Sequence, residues 1–142
     1  MALTAREKSD LLDRVDLFSG LGGVPLSAIA DRAVEVEFPA GRAIARQGEV
    51  GTGFFLIVNG GGRVTRDGRV IATLRAGDFF GELSLLDQSP RIATVTAIGP
   101  TVCLAIASWE FERLLEEQPR VAIGLLRGVA RRLREVTDSQ RG

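Results

Sequence analysis

From Val34 onward the apolar residues of this chain change their spacing, and that change limits the possible folds more than any other feature. Val34-Glu35-Val36-Glu37-Phe38 alternates strictly, which predicts a strand with one wet face. PAGR (39–42) predicts a turn, AIARQ (43–47) a strand and GEVGTG (48–53) a loop. FFLIVN (54–59) reads as a strand buried on both faces. GGGRVTRDGRVIATL (60–74) predicts a β-hairpin, with Asp67-Gly68 as the two-residue turn that favours type I′ geometry. After a turn at RAGD (75–78), IATVTAI (92–98) and TVCLAI (101–106) add two β-branched runs separated by Gly-Pro. About seven or eight short strands with turn residues between them predict a mainly β chain: an antiparallel β-roll, a jelly-roll-like barrel.

Helical spacing flanks this region on both sides. Thr4 and Glu7 form a capping-box pattern, and Leu11, Leu12 and Val15 continue a helix expected to end near SGLGG (19–23). A second short helix is expected over Pro25–Arg32, with Pro25 near its first turn. After the strands, Trp109, Phe111, Leu114 and Leu115 are expected along one side of a helix that Pro119 ends or restarts. A last helix is expected over about Arg120–Val136. Its apolar positions Ala122, Leu125, Leu126, Val129, Leu133 and Val136 recur at steps of three and four. Arg127, Arg131, Arg132 and Arg134 form its opposite face, expected to be solvated.

Composition removes whole classes of chemistry. The 142 residues include no His and one Cys, so Ser-His-Asp and Cys-His catalysis and zinc clusters are excluded. Eighteen basic residues balance eighteen acidic ones, which argues against nucleic acid as a main partner. The start of the chain carries charges of both signs and lacks a secretory apolar region. No apolar run approaches the roughly 18–20 residues that cross a bilayer. With Cys103 alone in an apolar strand, a reducing cytoplasm is the expected compartment.

The chemistry concentrates in FGELSLLDQSPRIATV (80–95). Glu82 and Arg91 interrupt apolar runs, where a surface pair is not expected. One reading is that they pair with each other across a loop. The other is an anion site: ELSLL (82–86) as a short helical turn with exposed N–H groups, Gly81 leaving the backbone open to approach, and Arg91 offering a two-pronged donor to phosphate. Glu82 would then accept from a sugar hydroxyl. Phosphate plus ribose in the mouth of a β-roll describes a nucleotide monophosphate. The glycines at 60–62 carry no phosphate-loop motif and are expected at a bulge or turn. Phe54, Phe55, Phe79 and Phe80 are expected in the core rather than as a base-stacking platform.

Phe80-Gly81-Glu82-Leu83-Ser84-Leu85-Leu86, a spacer, and Pro90-Arg91-Ile92-Ala93-Thr94-Val95 resemble the phosphate-binding cassette of the cyclic nucleotide-binding domain family. LFSGL (17–21), FPAGRAIARQGEVGTGFFLIVNGGGRV (38–64) and LRAGDFFGE (74–82) support the resemblance, which covers about residues 11–136. It implies one domain over 1–142: a helical start (1–33), a β-roll (34–107) holding the cassette (80–95), and C-terminal helices (108–138). It further implies that Arg91 binds the cyclic phosphate and that Glu82 accepts from the ribose 2′-hydroxyl. Backbone N–H groups around Gly81, Glu82 and Leu83, and at Ile92 and Ala93, would complete the cradle. Ile92 departs from the Ala, Ser or Thr usual there. It lacks the hydroxyl associated with cGMP, so cAMP is the favoured ligand, and its bulk is expected to crowd that ligand.

The implied function is a non-enzymatic sensor that moves its C-terminal helices on binding cAMP. Expected partners are the cyclic nucleotide and, through the last helix, a homodimer or an effector protein, with no nucleic acid or membrane. No helix-turn-helix, pore or kinase output is expected within these residues. A relative that binds no nucleotide and serves as an interaction module is the alternative. A cupin-type enzyme shares the strand rhythm but needs His ligands.

Overall fold

The computed structural model describes residues 2–15, 18–19, 21–50, 53–81 and 89–141. Among these, helices α1 (Ala5–Leu12) and α2 (Gly23–Arg32) precede eight strands, and helices α3 (Ser108–Glu117) and α4 (Pro119–Arg141) follow them. The strands are β1 (Val34–Phe38), β2 (Ala43–Ala45), β3 (Gly53–Asn59), β4 (Gly61–Arg66), β5 (Arg69–Arg75), β6 (Phe79–Phe80), β7 (Thr94–Ala97) and β8 (Thr101–Ala107).

The strands form two four-stranded sheets, ordered β1-β8-β3-β6 and β2-β7-β4-β5, with every named pairing antiparallel. The expected barrel is therefore an open roll, because among the described residues no strand pair joins one sheet to the other. Two of the strands, β2 with three residues and β6 with two, offer few ladder bonds with which to close it.

Period-two alternation gives β3 and β8 two different buried faces. Phe54 and Leu56 of β3, with Leu104 and Ile106 of β8, point to a core shared with Leu12, Val15, Phe18, Ile29, Phe111 and Leu114 from the helical side. Ile57 and Cys103 point the other way, to a core between the sheets with Ile44, Val95 and Ala97. The expected doubly buried strand is thus β3, and one sheet is sandwiched between helices and a second sheet.

The capping box is present: the Thr4 hydroxyl accepts from Glu7 N–H at 3.1 Å and the Glu7 carboxylate accepts from Thr4 N–H at 3.0 Å. Helix α1 nevertheless stops at Leu12, short of residue 19, and Val15 is buried from a turn beyond it. Helix α2 begins two residues before Pro25. The β4–β5 turn has φ 51° at Asp67 and 80° at Gly68, as type I′ requires. Gly60 sits in a turn at φ 96°, and Gly61 and Gly62 begin β4. AIARQ contributes only Ala43–Ala45 as strand, since Gln47 turns to donate its N–H to the Thr94 hydroxyl.

The C-terminal helices correct two expectations. Trp109 does not join Phe111 and Leu114. It lies about 200° from Phe111 around the helix and is 62% exposed. Helix α4 runs past Val136 to Arg141, and only its first turns reach the core, through Val121 and Leu125. Leu126, Val129, Leu133 and Val136 are exposed apolar residues.

Candidate functional site

The cassette opens onto a cavity of about 510 Å³ beside the sheet edge formed by β6. Gly81, Arg91, Ile92 and Ala93 line it, together with Phe79 and Phe80 of β6, Ser89, Pro90, and Ile71 and Leu74 of β5. Four of the six residues singled out by sequence therefore converge on one space. The other two, Glu82 and Leu83, lie outside the described residues, as does the whole stretch 82–88. The alternative of a direct Glu82–Arg91 pair falls in the same stretch.

Arg91 is held from several directions. Its backbone N–H donates to the Glu49 carbonyl at 2.8 Å, and its own carbonyl accepts from Gly48 N–H at 2.8 Å. Val50 bridges to Pro90, a residue whose missing N–H confines it to such an edge position. The 47–50 loop is in this way stitched along residues 90–94. The half-buried guanidinium donates from Nη2 to the Gly53 carbonyl at 2.6 Å. Its Cζ lies 6.0 Å from the centroid of the Phe55 ring, at the outer reach of a cation–π contact. Phe55 in turn stacks on Phe80, with ring centroids 5.3 Å apart and planes at 22°.

Gly81 serves a purpose that the sequence did not suggest. Its φ is 84°, and a Cβ built there would strike the Arg91 guanidinium and lie 2.6 Å from the Gly53 carbonyl. The missing side chain makes room for the arginine as well as for the chain's left-handed turn. Ile92 stands on the cavity rim, 74% exposed, with its side chain in open space. Any crowding of a ligand by Ile92 would therefore come from this exposed position. Ala93 is half-buried on the same wall.

Sequence reasoning missed Gly53, Gly48 and Glu49, all within a segment read only as a loop. Their contribution is backbone carbonyls and N–H groups, which carry no residue-type signal. Phe79 and Phe80 fulfil the core expectation in part, since each packs against a core cluster while also lining the cavity. Among the described residues no group of three or more His, Cys, Asp or Glu could hold a metal ion.

The family model of the cyclic nucleotide-binding domain matches residues 35–118, which span the strands, the cassette and α3. The chain belongs to the cyclic nucleotide-binding domain family. This domain is similar to the cAMP-dependent protein kinase regulatory subunit of Yarrowia lipolytica, with 38% identity over 106 residues, covering 73% of this chain and 28% of that protein. Among solved structures it resembles the N-terminal domain of a transcriptional regulator from Streptomyces coelicolor A3(2). There the TM-score is 0.84 and the identity 34%, over 91% of this chain and 96% of that one. It also resembles the regulatory domain of Toxoplasma gondii PKA crystallised with cAMP, at a TM-score of 0.70 and 28% identity, over 78% and 45% of the two chains. The domain spans about a third or less of the kinase regulatory subunits it matches. Among the described residues no helix is long and apolar enough to cross a membrane.

Proposed function

We propose that this domain is a cAMP sensor whose ligand sits in the Arg91 cavity and whose readout is the position of α4. The observation that carries the reading is the convergence of Gly81, Arg91, Ile92 and Ala93 on one cavity, with the guanidinium fixed by the Gly53 carbonyl. Arg91 pairs with the cyclic phosphate, and the N–H groups of Ile92 and Ala93 share its charge. Glu82 accepts from the ribose 2′-hydroxyl, and the N–H groups around Gly81 and Leu83 complete the cradle. Calorimetric titration with cAMP, cGMP and AMP tests the whole assignment. It predicts that cAMP binds best and AMP worst, and a protein that takes up none of the three is instead the non-binding interaction module. The Glu82 role has its own test. Parent protein should prefer cAMP over 2′-deoxy-cAMP, and Glu82→Ala should bind both nearly alike.

The moving part in this reading is α4 rather than α3. Phe111 and Leu114 bury α3, and Arg32 ties it to α2 through Glu110 at 3.3 Å and Glu117 at 2.8 Å. Beyond Gln118-Pro119, α4 is anchored mainly by Val121 and Leu125. Burying each such side chain contributes about 1.5–3 kcal/mol, so a few contacts made by a ligand are comparable in size and shift the helix population.

Ala122, Leu126, Val129, Leu133 and Val136 recur at steps of four and three along α4, and the last four are exposed. That is the spacing of a two-stranded coiled-coil seam, and we take it as the surface through which two copies associate. Sedimentation of the parent and of Leu133→Glu tests this: the parent should sediment as a dimer and the variant as a monomer.

A further inference from the structure

The molecule has a second large concavity of a different character. It encloses about 870 Å³ between the start of α2 and the length of α4, and Arg120, Arg127, Arg131 and Arg134 line it. Among the described residues no Asp or Glu lines it. Among the described residues, none of the four arginines makes an ion pair, and Arg131 donates only to the Ser19 carbonyl, at 3.2 Å. The floor is apolar, made by Leu21, Pro25 and Ile123. Leu21 lies so close against Gly124 that a Cβ there would strike it.

This arrangement is unfavourable for the chain alone. Arg127, Arg131 and Arg134 follow one another at steps of four and three, where like charges on a helix repel. Arg120 stands in the first turn of α4, which holds no acidic residue, and a cation there opposes the helix dipole. Helix α2 also enters the region with no acidic residue in its first turn and no side-chain cap. Glu135 and Asp138 stand one turn beyond Arg131 and Arg134 along α4, yet no carboxylate among the described residues forms an ion pair with any of the four arginines. Four guanidinium groups around an apolar floor are thus left without an ion pair among the described residues.

We propose that this groove docks an acidic, amphipathic segment of a partner protein. Carboxylates suit the planar guanidinium forks, and apolar side chains between them suit Leu21, Pro25 and Ile123. Nucleic acid would use the arginines and leave the apolar floor bare, and a bilayer surface is too flat to fill the concavity. Among the described residues the groove shares no lining residue with the Arg91 cavity, so the proposal stands apart from the nucleotide reading. It also uses the face of α4 away from the Leu126–Leu133 seam, so a dimer leaves it open.

The test is fluorescence anisotropy on the full chain with a labelled helical peptide bearing Leu on one face and Glu on the other. Its Lys counterpart, an all-Glu peptide, a DNA duplex and phosphatidylglycerol vesicles are run beside it. The Glu/Leu peptide should bind, weaken steeply with salt, and lose about tenfold or more in affinity on Arg127→Gln/Arg134→Gln, which keeps the helix intact. The all-Glu peptide should bind less well and the Lys peptide not at all. Circular dichroism should find the variant as folded as the parent, and its cAMP titration should be unchanged. The proposal fails if the Glu/Leu peptide does not bind, if it binds the double variant as well as the parent, or if the duplex or the vesicles are bound in its place.

Discussion

The Arg91 guanidinium donates to the Gly53 carbonyl at 2.6 Å, joining the cassette to the first residue of β3 across 38 residues of sequence. One prong of the arginine is thereby fixed beside the cavity, which in the proposed cAMP site would position it for the phosphate in advance. Fixing a donor in advance lowers the entropic cost of binding.

Arg91→Ala should cost about 2–5 kcal/mol of cAMP affinity, the range for removing one partner of a buried charge pair. Arg91→Lys should recover only part of it, because an ammonium lacks the planar fork that serves Gly53 and a phosphate together. Calorimetry on both variants checks this, and wild-type affinity in Arg91→Ala would remove the site assignment.

Gly81→Ala should damage both stability and binding. The methyl group meets the left-handed φ of 84°, the Arg91 guanidinium and the Gly53 carbonyl together. A loss of about 1–3 kcal/mol in urea denaturation is expected from backbone strain, with cAMP affinity falling as well. Gly77→Ala, at φ 97° but with nothing within 4 Å of the added Cβ, should show the strain alone and keep its cAMP affinity.

In the proposed site, Ile92 would set selectivity by what it lacks. An apolar side chain on the rim gives guanine no hydroxyl to bond, so the parent should prefer cAMP by about 1–2 kcal/mol, one to two net hydrogen bonds. Ile92→Thr should narrow the cAMP/cGMP ratio in competition binding. A ratio that does not move would shift base recognition to another element, α4 first among them.

Cys103 has no exposed surface, and burial pushes its thiol up to about 11 from an ordinary 9.0. A raised folded value means that the unfolded chain gives up the proton first as pH rises. Stability from this group is therefore complete below about pH 9 and falls between about pH 9 and 11, by a total on the order of 2–3 kcal/mol. Urea titrations at a series of alkaline pH values should show that slope, and Cys103→Ala should flatten it. Ellman's reagent should react with the native thiol only at the rate of global unfolding.

Much of the fold was legible in the sequence because it is encoded between near neighbours. VEVEF, FFLIVN and TVCLAI announce their strands through side chains two residues apart. Asp67-Gly68 announces its turn, and Thr4 and Glu7 announce a helix start. Helix and strand ends were less legible: α1 stops at Leu12 before the buried Val15, and α4 runs on to Arg141 past its last core contact.

The sequence by itself determined the strand runs, the hairpin, the chemistry excluded by having no His, and which cassette residues deserve attention. It could not name Gly53 as the partner of Arg91, because a backbone carbonyl is the same in every residue and only the stacking of the two sheets brings it within reach. Nor could it say that Gly81 is small for the sake of Arg91, or divide α4 into a buried face, an exposed apolar face and an arginine-lined groove. Helical periodicity reports which residues share a face, but only the packing of α4 against the core and the turn at Leu21 decides what that face meets.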